Sequence, residues 1–275
     1  MCEFCVQHGE GKKWYLQAKH YSQEMVSDER RAMIELFGRD YEKLMADGVG
    51  KISRAVAEDP AKAETLFPAH TERLKRFHWG QVVPIEEIEQ ILDMTLSVVR
   101  VPCACRSTLK GFREARYCFG LTGTGKDPGA TPRKRHPDFS SGVETLDRDE
   151  AKRAMRQLDK LGLVHSVWTF VSPHIGGICN CSINDCVALR TRERLGIQTM
   201  FKAEYVASID WETCNGCRNC MRMCNFGAIG YSAYANKCTV NQLQCYGCGV
   251  CRAICHKKSI VLEDRTASPM LVNEW

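Results

Sequence analysis

The spacing Cys-x2-Cys-x2-Cys-x3-Cys occurs twice in the C-terminal part of this chain, at Cys214, Cys217, Cys220 and Cys224 and again, 31 positions later, at Cys245, Cys248, Cys251 and Cys255. The flanks repeat with the same shift, Ile209 matching Val240 and Ile229 matching Ile260. A duplicated unit of this size, half loop and half short helix, cannot bury a core alone, so its two copies must pack face to face. In each copy three thiols lie within seven residues, where one loop wraps them round a common centre, and the fourth sits a helical turn further on and points away.

Seventeen cysteines stand among 275 residues, none from Val6 to Pro102, six from Cys103 to Cys186 and nine from Cys214 to Cys255. The start, Met1-Cys2-Glu3-Phe4-Cys5, has neither the basic opening nor the apolar run of a secretory signal, and apolar stretches fall far short of the ~20 residues of a spanning helix. The expectation is a cytoplasmic chain without a membrane span, where thiols stay reduced and serve as ligands rather than disulfides. Tetrahedral zinc uses two Cys pairs and has no need of the middle thiol in each run, so the spacing points to [4Fe-4S] clusters.

Over residues 204–264 the two motifs resemble the bacterial two-cluster ferredoxin family. The resemblance implies one [4Fe-4S] cluster on Cys214, Cys217, Cys220 and Cys255 and a second on Cys245, Cys248, Cys251 and Cys224. It also implies two short antiparallel hairpins and two small helices related by a pseudo-twofold. This chain departs from the family after each fourth cysteine, where Asn225 and His256 replace the usual Pro. Gly216, Gly247 and Gly249 between ligands suit close approach of backbone N–H groups to sulfur.

Upstream, Cys103 and Cys105, then Cys118, then Cys179 and Cys181 with Cys186, form a second constellation. Two Cys-x-Cys pairs brought together supply four thiolates, and Cys118 and Cys186 can replace or extend them. Arg106, Arg113 and Arg116 are close enough in sequence to offset thiolate charge. The arrangement loosely resembles a module found with ferredoxin domains in electron-transfer proteins of anaerobes. The expected occupant is a third iron-sulfur cluster, ahead of structural zinc and of ordinary buried thiols. Cys2, Cys5 and His8 make a further triplet that is as compatible with unused tail thiols as with a ligand role, and Cys238 reads as a small buried hydrophobe.

The rest of the chain is read as a scaffold. Helical periodicity runs from about Trp14 to Val99, through Met33, Leu36 and Phe37, then Tyr41, Leu44 and Met45. Pro84 starts a helix with Ile85, Ile88, Leu92 and Leu96 on its apolar face, and Asp149 introduces another carrying Ala151, Met155, Leu158 and Leu161, stopped by Gly162 before a strand at 163–171. The expected class is α+β: a mainly helical region at 1–100, a Cys-rich α+β region at 101–203, the ferredoxin-like domain at 204–264 and a tail at 265–275.

Clusters ligated entirely by cysteine have no open coordination position, so the expected function is single-electron relay between redox partner proteins, as a docked carrier or a subunit of a larger anaerobic oxidoreductase. One alternative is a reductase whose upstream cluster has an iron without a Cys ligand, near His165 or His174. Another is a redox-sensing DNA binder, motivated by the helix-Gly-strand segment and the net charge of +5, although a dense basic face is absent and nucleic acid is not the expected partner. Gly123-Thr124-Gly125-Lys126 lacks the strand and helix of a dinucleotide site, and Asp127 stands where a P-loop needs a hydroxyl, so a flavin or nicotinamide would come from a partner. Arg133-Lys134-Arg135-His136 reads as a solvated basic loop.

Overall fold

After residue 79 six short runs, of which Ser97–Val101 and Val164–Thr169 are rich in β-branched residues, gather into one antiparallel sheet. In the computed structural model, which describes residues 3–11, 13–112, 114–122, 143–271 and 274, β1 (Gly80–Val82), β2 (Ser97–Val101), β3 (Cys118–Thr122), β4 (Glu144–Leu146), β5 (Val164–Thr169) and β6 (Ile175–Cys181) lie in the order β1-β5-β6-β3-β2-β4. The class is α+β. Ahead of the sheet come α1 (Glu3–His8), α2 (Asp28–Arg39), α3 (Tyr41–Met45), α4 (Lys51–Glu58) and α5 (Ala63–Phe77). β1 and β2 are a finding against the helical reading of this stretch. They are only three and five residues long, too short to show a period of their own between helices.

One face of the sheet is packed by α6 (Ile85–Met94) and α8 (Arg148–Lys160), together with Trp14, Tyr15 and Tyr21. α6 buries Ile88, Ile91 and Leu92, and the helix ends at Met94, so Leu96 lies beyond its face and is exposed. α8 is held at its start by a reciprocal capping box between Asp147 and Glu150 and buries Ala151, Met155 and Leu158, whereas Leu161, past its last turn, is exposed. Successive residues of a strand face opposite sides. Phe119, Leu121 and Ile178 enter the helix-covered core, which turns Cys118, Cys179 and Cys181 to the other face.

That other face carries α7 (Ala104–Lys110) and α9 (Val187–Leu195), whose N-caps are Cys103 and Cys186. Residues 205–264 form a smaller unit. β7 (Tyr205–Ile209) pairs with β10 (Ile260–Asp264), and β8 (Ile229–Ser232) pairs with β9 (Lys237–Val240), with α10 (Asn219–Met223) and α11 (Val250–Ala253) between them. Each two-stranded sheet takes one strand from each repeat, and the repeated residues are themselves partners, Ile209 with Ile260 and Ile229 with Val240. The copies therefore interlock rather than stack as separate hairpins. Among the described residues no helix is long and apolar enough to cross a membrane. Residues 123–142, which hold the basic and glycine-rich segments, lie outside the described residues, as do Cys2 and Arg113.

Candidate metal centres

The repeat geometry brings three thiols of the first motif and one of the second to a single cavity. Its walls include Cys214, Cys217, Cys220 and Cys255, together with Ile209, Ile260, Asn215 and His256. Gly216 stands in the left-handed region with φ +67°, and a Cβ there would lie 2.3 Å from the Asn236 carbonyl oxygen, so the loop can pass the β8–β9 turn only with glycine. Cys238, read from sequence as a buried hydrophobe, is buried but also lines this cavity and is hydrogen-bonded to Cys220. Burial first, then the neighbouring Cys238 and Cys217, push the Cys220 thiol up to about 12.

The thiols of the second motif lie close to Cys224. Burial, followed by the charges of Cys251, Cys245 and Cys224, holds the Cys248 thiol well above its ordinary value, and burial with Cys245 and Cys224 pushes Cys251 up to about 12. Backbone N–H groups converge on these sulfurs: Ala207 and Gly247 each donate to Cys245 Sγ at 3.4 Å, and Ala228 donates to Cys224 Sγ at 3.3 Å. Gly247 is held like Gly216, its φ at +65° and a Cβ only 2.1 Å from the Tyr205 carbonyl.

The six upstream thiols form two strings of sulfur contacts. Cys118 and Cys179 are direct partners across β3 and β6. The Cys118 thiol donates to Cys103 Sγ at 3.5 Å, and Cys179 donates to Cys118 Sγ at 3.9 Å. A second string runs from Cys105 to Cys186 and on to Cys181 by hydrogen bonds. Contact with Cys118 and burial hold Cys103 far above its ordinary value, and contact with Cys186 and burial do the same for Cys105. Bare thiolates crowded in a dry site repel one another, so this donor set fits a thiophilic group of positive charge. Among the described residues no three His, Cys, Asp or Glu side chains converge as ligands of one metal ion would.

Residues that the sequence does not point to complete this site. Tyr117 donates its backbone N–H to Cys103 Sγ at 3.0 Å, and the Tyr41 hydroxyl lies 3.0 Å from Cys105 Sγ. Nothing in the local sequence marks Tyr41, because α3 approaches from 64 residues away. Of the three candidate arginines, Arg106 is buried, reaches Cys103 Sγ at 3.7 Å, and pairs with Asp185 at 3.2 Å. Arg116 instead pairs with exposed Glu114. His165 is fully buried, with Nδ1 2.5 Å from Asn180 Oδ1, and His174 is spent on the His20 carbonyl. Cys5 is buried against the Glu204 carboxylate and His8 packs on the Phe4 ring.

The upstream thiols and the C-terminal unit share one buried cluster. Cys181 and Cys186 pack with Phe226, Tyr246 and Val250, and Cys224 and Cys248 border the same cluster. Phe226 and Tyr246 stack face to face at 4.0 Å. Asn225 accepts the Ile183 N–H at 2.9 Å and donates to the Gly162 carbonyl at 3.1 Å.

No known family profile matches the chain. Over 59 residues it is 36% identical to the archaeal-type glutamate synthase [NADPH] of Thermotoga sp. (strain RQ2), and to the same extent to that of Thermotoga maritima. The match covers 22% of this chain and 12% of each relative, so the chain spans a small fraction of the curated proteins it resembles.

Proposed function

We propose that this chain is an iron-sulfur electron-transfer protein, a carrier or the electron-transfer subunit of a larger anaerobic oxidoreductase, with two [4Fe-4S] clusters and a third upstream centre. The observation that carries this reading is the cavity shared by Cys214, Cys217, Cys220 and Cys255, three thiols from one motif and the fourth from the other. The partial likeness to a glutamate synthase is compatible with a redox setting.

When bound, such clusters accept and release one electron at a time. The chain's own residues do the rest. Cys214, Cys217, Cys220 and Cys255 hold one group, and Cys245, Cys248, Cys251 and Cys224 hold the other. Ala207, Gly247 and Ala228 aim N–H dipoles at the sulfurs, which favours the more negative state. Ile209, Ile229, Val206 and Ile260 exclude water. Upstream, Cys103, Cys105, Cys118, Cys179, Cys181 and Cys186 offer more sulfurs than one cubane needs, and Arg106 supplies a fixed positive charge against them. Anaerobic reconstitution with iron and sulfide followed by EPR tests the reading: reduced protein must show two interacting [4Fe-4S] signals, and their absence from iron-loaded protein would refute it.

A second reading, the reductase, gains one observation. An open cleft of about 670 Å³ is lined by Phe112, Tyr117, Leu161 and Leu163, with Arg106 and Asp185 also in its walls, and Arg106 and Tyr117 both contact Cys103. This volume lies in the range of small-molecule sites. Turnover of an added substrate by the isolated chain with an artificial donor would favour it over the relay.

A further inference from the structure

One thiol of the eight in the ferredoxin-like motifs is exposed. Cys217 faces solvent while the other seven are buried or half-buried. The surface round it is cationic. Lys257 lines the cavity itself, Lys237 donates to the Cys214 carbonyl, and Arg222 donates to Asn219 at the cavity wall. Arg218 and Lys258 are exposed beside them. None of these five cations forms an ion pair among the described residues, whereas Lys152, Arg156, Arg252 and Lys110 elsewhere are each paired with a carboxylate. The acids near this loop are Asp210, which accepts from Glu212 N–H and the Thr213 hydroxyl and whose charge also faces Lys237, and exposed Glu212.

Two exposed aromatic rings flank the collar. Trp211, three residues before Cys214, is 49% exposed, and Tyr234 is fully exposed on the β8–β9 turn whose Asn236 packs against Gly216. Trp211, Tyr234, Arg218 and Arg222 at the edge of this site are of the residue types enriched in protein-protein hot spots.

We propose that the face centred on Cys217 docks a single-electron carrier protein with an acidic surface, the cationic collar steering it and Trp211 and Tyr234 anchoring it. This rests on the electron-transfer reading and adds to it the outlet and the chemistry of the partner. A small acidic flavodoxin serves as probe, bound to the iron-loaded chain under anaerobic conditions. Binding should weaken at least tenfold between 20 and 300 mM salt, since exposed charges are screened at roughly 10 Å in 0.1 M salt. Lys257→Glu with Lys258→Glu should weaken it at least tenfold at low salt, Lys257→Gln with Lys258→Gln less so, and Lys75→Glu on α5 should leave it unchanged. Trp211→Ala should weaken binding with little change in its salt dependence. Absence of flavodoxin binding at 20 mM salt, binding indifferent to both double variants, or tighter binding of a cationic cytochrome or of duplex DNA would overturn the proposal. Iron content and visible absorbance on the same samples separate the two readings: an iron-loaded chain that fails to bind loses the docking face alone, and an iron-free chain loses the relay.

Discussion

The side-chain oxygen of Asn225 accepts the backbone N–H of Ile183 at 2.9 Å and so ties the turn after Cys224 to the loop between Cys181 and Cys186. Its amide nitrogen reaches the Gly162 carbonyl at the end of α8. One side chain thus joins the C-terminal unit to the upstream thiol site from two directions. Cys224 itself is extended, with ψ 104°, a conformation that a following Pro accepts.

Asn225→Pro therefore isolates the side chain's contribution. The backbone can keep its path, but the Ile183 N–H and the Gly162 carbonyl lose their partner. Leaving such groups unpaired costs about 1–3 kcal/mol. The expected outcome is a loss of that size in anaerobic urea unfolding, with both [4Fe-4S] signals retained. Unchanged stability would show that the bridge contributes nothing.

The ligand sets we propose predict which substitutions behave alike. Cys255→Ala should remove the same EPR signal as Cys214→Ala, although the two residues lie in different motifs, and Cys224→Ala should group with Cys248→Ala. Grouping by motif, with Cys255→Ala matching Cys245→Ala, would contradict the shared cavity.

How much of this was legible in the sequence differs between the two sites. The C-terminal motifs carry part of their geometry locally, since ligand spacing and the glycines at Gly216 and Gly247 act within a few residues, whereas the pairing of Ile209 with Ile260, 51 positions apart, interlocks the two copies in a way that separate hairpins do not. The upstream site is assembled by tertiary contacts. Its six cysteines were visible as residue types, but the register that sets Cys118 opposite Cys179 depends on β6 lying next to β3, and no local pattern encodes that order. Tyr41 and Asp185 were invisible for the same reason. The exposed positions of Leu96 and Leu161 show the usual failing at helix ends, where apolar periodicity runs on past the last hydrogen-bonded turn.

The upstream thiols make a separable prediction. Cys118→Ser together with Cys179→Ser breaks the string that joins Cys103 to β6 and should remove only the iron in excess of about eight per chain, the number that two cubanes hold. Iron analysis of wild type and variant checks this. A wild-type chain with about eight irons, unchanged in the variant, would leave the upstream site without a cluster.

Buried histidines set the acid limit of the scaffold. His78 lies between the Phe4 and Phe201 rings, with centroids 4.2 and 4.0 Å away, and burial lowers its pKa to about 3. Burial lowers His174 to about 4. Both are neutral when folded and take up a proton near pH 6.5 when unfolded, so the unfolded state binds more protons below that pH. Stability is fully present above pH 6.5 and declines as pH falls toward 4. Each should cost up to about 2 kcal/mol between pH 6.5 and 5, at 1.36 kcal/mol per unit. Urea midpoints at pH 7 and pH 5 measure the decline, and His78→Gln should flatten it.

The central claim is that two interlocked cysteine motifs hold a pair of iron-sulfur cages. Iron and acid-labile sulfide determined on chain purified without oxygen test it most directly. The account predicts a brown protein with at least about eight atoms of each per chain. A colourless protein that takes up neither, even on reconstitution, would contradict it.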